Sequence, residues 1–579
     1  MSKLNIDQRT VVSLFSDKKS DFLIPDYQRP YAWEEDELAT LWDDIFNFAI
    51  PGGNAESFSE DAEYFLGPIV TFRNSDGKLE IIDGQQRLTT LMLLLRAYYS
   101  RLGSMKDTKT IKTREAIEKC VWKTDEFGTP LTDQLKIDSE VASDNDKVEF
   151  LSILRSGMTK EGQKSRYAKA FNFFDNKIDE FIRDYPSYTP YLATRILNNI
   201  LLLPIEAESQ KTALQIFSTL NDRGLPLADA DIFKSQLYKY YSDKNEKDAF
   251  ILRWKELETQ ATDTFRKSRS NPMDELFTRY MYYERAKQGI RNTTTESLRD
   301  FYEKDSYELL RNDQIMSNLE ALANFWTQVD NQEGFSNRVL LRLFVLGYAP
   351  NSMRTFIVSV YFLHNRDAEG RLDEEQFYRF LKRITAFIWA YSVVRPGVNA
   401  LRTPVFPAMI QIVNNTEITF AGSKFDREAL RAQLYACQFT PGRPITKSMV
   451  MWWAFQNPNQ QLLDIDAKLD VEHIFAKKRA QFEGGLSDKN LLESLGNKAF
   501  LEKRINIRAS DYQFSAKKEL YQGIVDGQNK KEATKNQELI ELAKNAIDFT
   551  EDDIKTREHL IFESFLDYLD ENGLILAEN

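Results

Sequence analysis

Leu469-Asp470-Val471-Glu472-His473-Ile474-Phe475 holds one of only three histidines in 579 residues. An amide-rich stretch follows: Leu495-Gly496-Asn497, then Arg504-Ile505-Asn506. An acid, a histidine and two asparagines in this order can build a one-metal nuclease site. Histidine can take a proton from water, and a carboxylate with an amide oxygen suits a hard cation such as Mg²⁺ or Mn²⁺. The local pattern gives a strand over 471–475, a second over 495–501, and a helix from Asn506 that includes Phe514, Lys517 and Tyr521. From these residues alone, Glu472-His473 reads more readily as a strand-end pair satisfied by hydrogen bonds than as a catalytic pair.

The chain around this stretch is too long for one core, so two to four domains are expected. Apolar residues make up 42% and aromatics 12%, enough for buried cores. The net charge of −12 does not advertise nucleic-acid binding. Charge is uneven, however: His473 to Lys518 holds ten Lys/Arg against five Asp/Glu, so a basic surface can form locally. The alternative is an ordinary solvated helix face. Two cysteines, Cys120 and Cys437, exclude a disulfide framework and a Cys-rich zinc site. The N-terminus lacks an apolar leader core, and no apolar run approaches the ~18 residues that span a bilayer. A soluble cytoplasmic protein without membrane contact is the expectation.

Near the other end, Pro25 and Pro30 make residues 22–33 extended. A helix follows, with Glu34, Glu35, Asp36 and Glu37 at its positive end and Leu38, Leu41, Trp42 and Ile45 on its apolar face. Residues 64–73 and 78–82 read as strands joined by a turn at Asn74-Ser75-Asp76-Gly77. Leu88 to Leu102 is a strongly apolar helix, which places Asp83-Gly84-Gln85-Gln86-Arg87 at a helix N-terminus, a setting that suits phosphate. No Walker A pattern is present. Residues 140–240 read as mostly helical, with a stop at Gly224 and a new helix from Asp229. Beyond 240 the pattern stays helical, and aromatic stripes such as Phe277, Tyr280 and Tyr283 read as core. His364 and His559 lack acid or amide companions and read as structural.

Three segments resemble the ParB/sulfiredoxin-like N-terminal domain of GmrSD-type, modification-dependent (type IV) restriction enzymes. They are Ile24 to Trp33, Asp83 to Thr90, and Phe217 to Gly224 continuing to Lys234. The resemblance implies a domain that binds and hydrolyses a nucleoside triphosphate (GTP, ATP or another) and helps sense modified DNA. It makes Asp83, Gly84, Gln85, Gln86, Arg87 and Arg223 nucleotide-site candidates. Tyr27, Tyr31 and Trp33 either form a stacking pocket for a flipped or modified base or anchor an extended arm, and Gln28 and Arg29 belong to the same sensing segment.

The Glu472 to Lys518 stretch resembles the HNH (His-Me finger) nuclease domain of the same family, whose layout is strand, loop, strand, helix around a metal. It implies His473 as general base, Glu472 and Asn506 as metal ligands, and Asn497 orienting the His473 ring or completing the metal shell. Lys498, Lys503, Arg504 and Lys517 become phosphate contacts. Three positions depart from the usual pattern: Ala476 replaces proline, Lys498 replaces leucine, and Asn506 replaces histidine.

Together these resemblances imply a mainly helical α+β protein. A ParB-like α/β domain covers 1–240, a helical middle 241–430, and an HNH ββα-metal domain embedded in helices 431–579. The expected function is a nucleotide-regulated, metal-dependent double-stranded DNA endonuclease of bacterial antiphage defence that recognises modified DNA, possible as a homodimer. The rivals are a nicking enzyme that acts on unmodified invader DNA, a nucleotide-gated sensor with an inactive nuclease, and a toxin-like ribonuclease.

Overall fold

The computed structural model describes residues 5–25, 28, 30–54, 57, 62–141, 146–160, 162–209, 212–213, 216, 228–268, 270–397, 399–482, 485–509, 513–525, 528–529 and 531–577. The expectations for Tyr27, Arg29, Arg223 and the Gly224 turn lie outside these residues. The chain divides into two compact units, Met1–Lys255 and Glu256–Asn579.

The first unit is built on a mixed sheet. Its strands are β1 (Asn5–Ile6), β2 (Arg9–Thr10), β3 (Phe22–Ile24), β4 (Tyr64–Arg73), β5 (Leu79–Asp83), β8 (Ile137–Ser139) and β9 (Ile200–Ala207); β6 (Trp122–Thr124) and β7 (Pro130–Leu135) form a separate hairpin. The order across the sheet is β1-β9-β4-β5-β3-β8, with β2 also on β9. The expected β4–β5 hairpin is present. Asn74 Oδ1 accepts from the Asp76 and Lys78 amides, and Gly77 takes a positive φ of 78°, which closes the turn. After β5 the chain enters the helix Gln85–Arg101, buried at every position from Leu88 to Tyr98, so it forms the centre of the core.

One strand departs from the sequence reading. Ile200–Ala207 lies in the stretch read as helical, yet it pairs in parallel with β4 along its whole length. Covered on both sides, it shows a continuous apolar run instead of alternation, a pattern that does not distinguish strand from helix.

In the second unit, long helices such as Pro272–Lys287, Met353–Asn365 and Glu374–Val394 form a body with Phe277 and Tyr280 in its core, as their spacing predicts, while Tyr283 of the same stripe is only half-buried. Against it sits a two-stranded sheet, β10 (Leu469–His473) and β11 (Lys498–Glu502), antiparallel, with His473 opposite Lys498. The helices Pro444–Ala454 and Glu551–Glu571 pack on β11 and on the turn before it. Two short helices follow, Lys503–Ala509 and Phe514–Tyr521.

Boundaries differ from the sequence reading by a few residues. Ile474 and Phe475 leave the strand because their amides bond to Asn497, through its backbone oxygen and its side chain. Leu495–Asn497 is a single helical turn before β11, and Asn506 falls inside its helix instead of opening it. Among the described residues, no helix is long and apolar enough to cross a membrane. Cys120 and Cys437 are free thiols.

Candidate active site

The β10–β11 pair ends beside a cleft of about 440 Å³ lined by Pro441, Val471, Glu472, His473, Ala476, Lys477, Asn506, Ile507 and Lys517. Three residues singled out from sequence, Glu472, His473 and Asn506, therefore meet in one space. Glu472 and His473 come from the end of β10, and Asn506 from the middle of the Lys503–Ala509 helix.

Glu472 is 4% exposed. Its Oε1 accepts from Lys517 Nζ at 2.6 Å and from Tyr521 Oη at 2.7 Å. Oε2 has no protein partner among the described residues, and Glu472 lines the cleft. The amide of Asn506 is half-buried on the same cleft and is likewise without a protein partner there. One anchored carboxylate and one amide oxygen suit Mg²⁺ or Mn²⁺, cations that keep several waters and need few protein ligands. Among the described residues, no cluster of three or more His, Cys, Asp or Glu side chains offers a closed site. Lys517, expected at flanking phosphate, lines this same cleft but is already engaged there. Its ammonium is buried on Glu472 and also donates to the His473 carbonyl, so it neutralises the carboxylate.

His473 Nε2 lies 3.1 Å from Glu493 Oε1. Donation to that carboxylate places the proton on Nε2 and leaves Nδ1 with the lone pair. Burial, reinforced by nearby Lys498 and opposed by Glu493, pulls the imidazole down to about 4, so it is neutral near pH 7. Lys498 is fully buried and makes a 2.9 Å ion pair with Glu493 Oε2; burial lowers it to about 8, against the pull of Glu493. Burial pushes Glu493 up, but Lys498 and His473 outweigh it and hold the carboxylate below its usual range. Lys498 was expected at phosphate; it sits behind the histidine instead. Sequence reasoning passed over Glu493 because it stands twenty residues from His473 in an ordinary-looking Leu-Leu-Glu run. Only the return of the chain beside β10 brings the two together.

Asn497 does not touch the imidazole. It is fully buried, its Oδ1 accepts from the Phe475 amide at 2.6 Å, and its Nδ2 donates to the Phe475 and Leu492 carbonyls at 3.1 Å. It locks the backbone that follows His473. Behind it, Arg557 donates through one nitrogen to the carbonyls of Leu495, Gly496 and Lys498 while Glu538 holds its other edge. A side chain at Gly496 would run into the Ile554 and Glu558 backbone, which explains the glycine. Lys503 and Arg504 are exposed on the helix that carries Asn506. His364 bonds Asn415 and His559 bonds Tyr435, which gives each a structural partner.

The N-terminal candidates are drawn into the fold. Asp83 ends β5 and Gly84 caps the next helix with φ 93°. The space a Cβ would need at Gly84 is occupied by Ile69 and Pro68 of β4, so the glycine serves that close approach. Gln85 is buried. Gln86 accepts from the Ala32 amide at 2.8 Å and donates to the Pro30 carbonyl at 3.3 Å. Arg87 donates to the Pro68 carbonyl and lies 3.8 Å from Asp83. Gln28 donates to the Ile81 and Ile82 carbonyls. Tyr31 is 4% exposed, bonds Thr90 and stacks on Tyr167, and Trp33 packs against the core. As placed, Gln28, Tyr31 and Trp33 pack into the fold, and Gln86 and Arg87 are already engaged by protein.

Comparison with known families matches this architecture at both ends. The model of the GmrSD restriction endonuclease N-terminal domain covers residues 11–238, and that of the GmrSD restriction endonuclease C-terminal domain covers residues 427–564. Together they span well over half of the chain, which belongs to the GmrSD restriction endonuclease family. It is a DNA endonuclease of type IV restriction, acting in phage defence. A comparison with curated proteins finds no match.

Proposed function

We propose that the second unit is an HNH-type, metal-dependent nuclease in which His473 is the general base and Glu472 and Asn506 hold Mg²⁺ or Mn²⁺. The observation that carries this reading is the meeting of Glu472, His473 and Asn506 in one cleft, with His473 Nε2 against Glu493, a contact that favours a proton on Nε2 and a lone pair on Nδ1. Nδ1 takes a proton from water as its oxygen bonds to phosphorus. The bond from phosphorus to the leaving deoxyribose oxygen breaks, and that oxygen takes a proton from solvent, giving a phosphate monoester and an alcohol. Glu493 stabilises the imidazolium that forms, as a carboxylate behind a catalytic histidine does. The cation, when bound, offsets the charge that grows on the phosphate and the leaving oxygen. Asn497 and Arg557 are positioning residues that fix the backbone around His473.

Nucleotide regulation and recognition of modified DNA are proposed on the strength of the N-terminal family match alone. Binding of phosphate at Asp83–Arg87 requires Gln86 and Arg87 to release their present partners. One plasmid-cleavage panel tests the whole reading. Substrates are unmodified, hydroxymethyl- or glucosyl-cytosine, and phosphorothioate DNA, each with Mg²⁺ or Mn²⁺, with and without nucleoside triphosphate. Cutting of one modified substrate that is lost in His473→Ala supports the proposal. Cutting that survives His473→Ala removes the site assignment.

A second reading is a DNA sensor with an inactive nuclease. It is favoured by Lys517, whose ammonium already neutralises Glu472. Calorimetric titration separates the two: an inactive site shows no Mn²⁺ or Mg²⁺ binding that depends on Glu472.

A further inference from the structure

A second, larger cleft of about 1030 Å³ adjoins the active-site cleft, and Ile507 lines both. The Lys503–Ala509 helix separates them. Asn506 faces the catalytic side, while Lys503, Arg504 and Arg508 line the other. Lys468, from the turn before β10, and Lys531 and Lys535, from the segment after the Phe514–Tyr521 helix, complete that lining.

This convergence is built by the backbone. The Lys503 amide donates to the Lys468 carbonyl at 2.8 Å, and the Lys535 amide to Glu502 Oε1 at 2.7 Å. Thr534 donates to Glu502 Oε2, and the Asn536 side chain to the Phe500 carbonyl, so the segment carrying Lys535 is pinned to β11. The acids in the same cleft are Asp464, Asp466, Glu502 and Glu532. Glu502 is taken up by those two bonds, and Asp466 pairs with Lys267 and Arg266. Lys468, Lys503, Arg504, Lys531 and Lys535 are exposed, and none makes an ion pair among the described residues.

From this arrangement we infer that the basic cleft is a backbone-binding track that grips duplex DNA on one flank of the phosphate being cut. It rests on the nuclease reading of the neighbouring cleft. A solvated surface needs no such pinning of lysines from three separate segments around one hollow. An acidic peptide would match the charge, but only a nucleic-acid backbone continues from this cleft past Ile507 to the phosphate at Asn506 and Glu472. The track makes recognition one-sided and sequence-independent, and it places Lys468, Lys531 and Lys535, outside the strand–strand–helix unit, in the substrate contact.

The test uses the full chain carrying His473→Ala, so that binding is read without cutting. The probes are unmodified and hydroxymethylcytosine DNA duplexes and an RNA duplex of the same sequence, titrated across a KCl series with and without Lys468→Gln, Lys531→Gln and Lys535→Gln together. The slope of log affinity against log salt is expected to fall by nearly 3, at roughly 0.9 per lost phosphate contact. In the His473-containing protein, the same triple change should reduce duplex cleavage yet leave hydrolysis of bis(p-nitrophenyl) phosphate unchanged, which also reports an intact fold. An unchanged slope with normal duplex cutting overturns the track and leaves the nuclease reading standing. A loss confined to RNA overturns the assignment to DNA. A protein without the triple change that neither binds nor cuts nucleic acid overturns the underlying reading itself.

Discussion

Replacing Asn497 by alanine separates a brace from a catalytic group. The buried amide satisfies the Phe475 amide, the Phe475 carbonyl and the Leu492 carbonyl. Leu492 keeps a donor in Lys498, so the substitution strands two backbone groups of Phe475, itself 1% exposed. At roughly 1–3 kcal/mol for each stranded group, the loss is about 4 kcal/mol. For a unit of this size a kcal/mol moves the transition by roughly 2 °C, so unfolding of the second unit should come about 8 °C earlier. Asn497→Asp should be worse near neutral pH, because it sets a carboxylate oxygen against two carbonyls in a buried place. That deficit should shrink as pH falls and the acid takes a proton. Calorimetry and plasmid cleavage on the same samples provide the assay. If Asn497→Ala unfolds where the unsubstituted protein does and yet fails to cut, Asn497 acts on substrate or cation and the brace argument is wrong.

Glu493→Gln removes the carboxylate that faces both His473 and Lys498, and cleavage should fall about 10- to 100-fold, the scale of one hydrogen bond to a charged group. Because Glu493 supports protonation of His473, the acid limb of the pH–rate profile, already far below the usual histidine range, should move lower still. With a folded value of about 4 against roughly 6.5 when unfolded, His473 makes the unfolded chain the stronger proton binder between these values. Stability of the second unit should therefore decline as pH drops through that window, and His473→Gln should flatten the decline in chemical-denaturation curves. Lys517→Met breaks a buried ion pair and should destabilise the unit by about 3–5 kcal/mol. Added Mg²⁺ should restore more stability to Lys517→Met than it adds to the unsubstituted protein, and equal effects would argue against a cation at Glu472. Gly496→Ala should prevent soluble expression of the second unit, since the Ile554 backbone blocks the new methyl group.

The site was legible in part because its chemistry is local. Glu472 and His473 are neighbours, and Asn497 and Asn506 stand close after them, so one reading along the chain finds all four. The β4–β5 hairpin and the helix after it were equally legible, since a turn and a helix end are written in adjacent residues. The roles within the group were less so. Asn497, Lys498 and Lys517 carry the residue types of a polar site, but their partners are backbone carbonyls and carboxylates that the sequence leaves unspecified. Strand β9 was missed because a strand covered on both faces has no alternation to betray it.

By itself the sequence determined which residues form the candidate site, the order of strand, strand and helix around them, and the family to which both ends belong. Tertiary structure decided what each polar side chain does. It set Glu493 against His473, turned Lys498 and Lys517 inward, drew Gln86 and Tyr31 into the core of the first unit, and gathered Lys468, Lys531 and Lys535 around one cleft. The physical reason is that residue type fixes which bonds a group can make, whereas burial and the neighbour across the fold fix which one it does make.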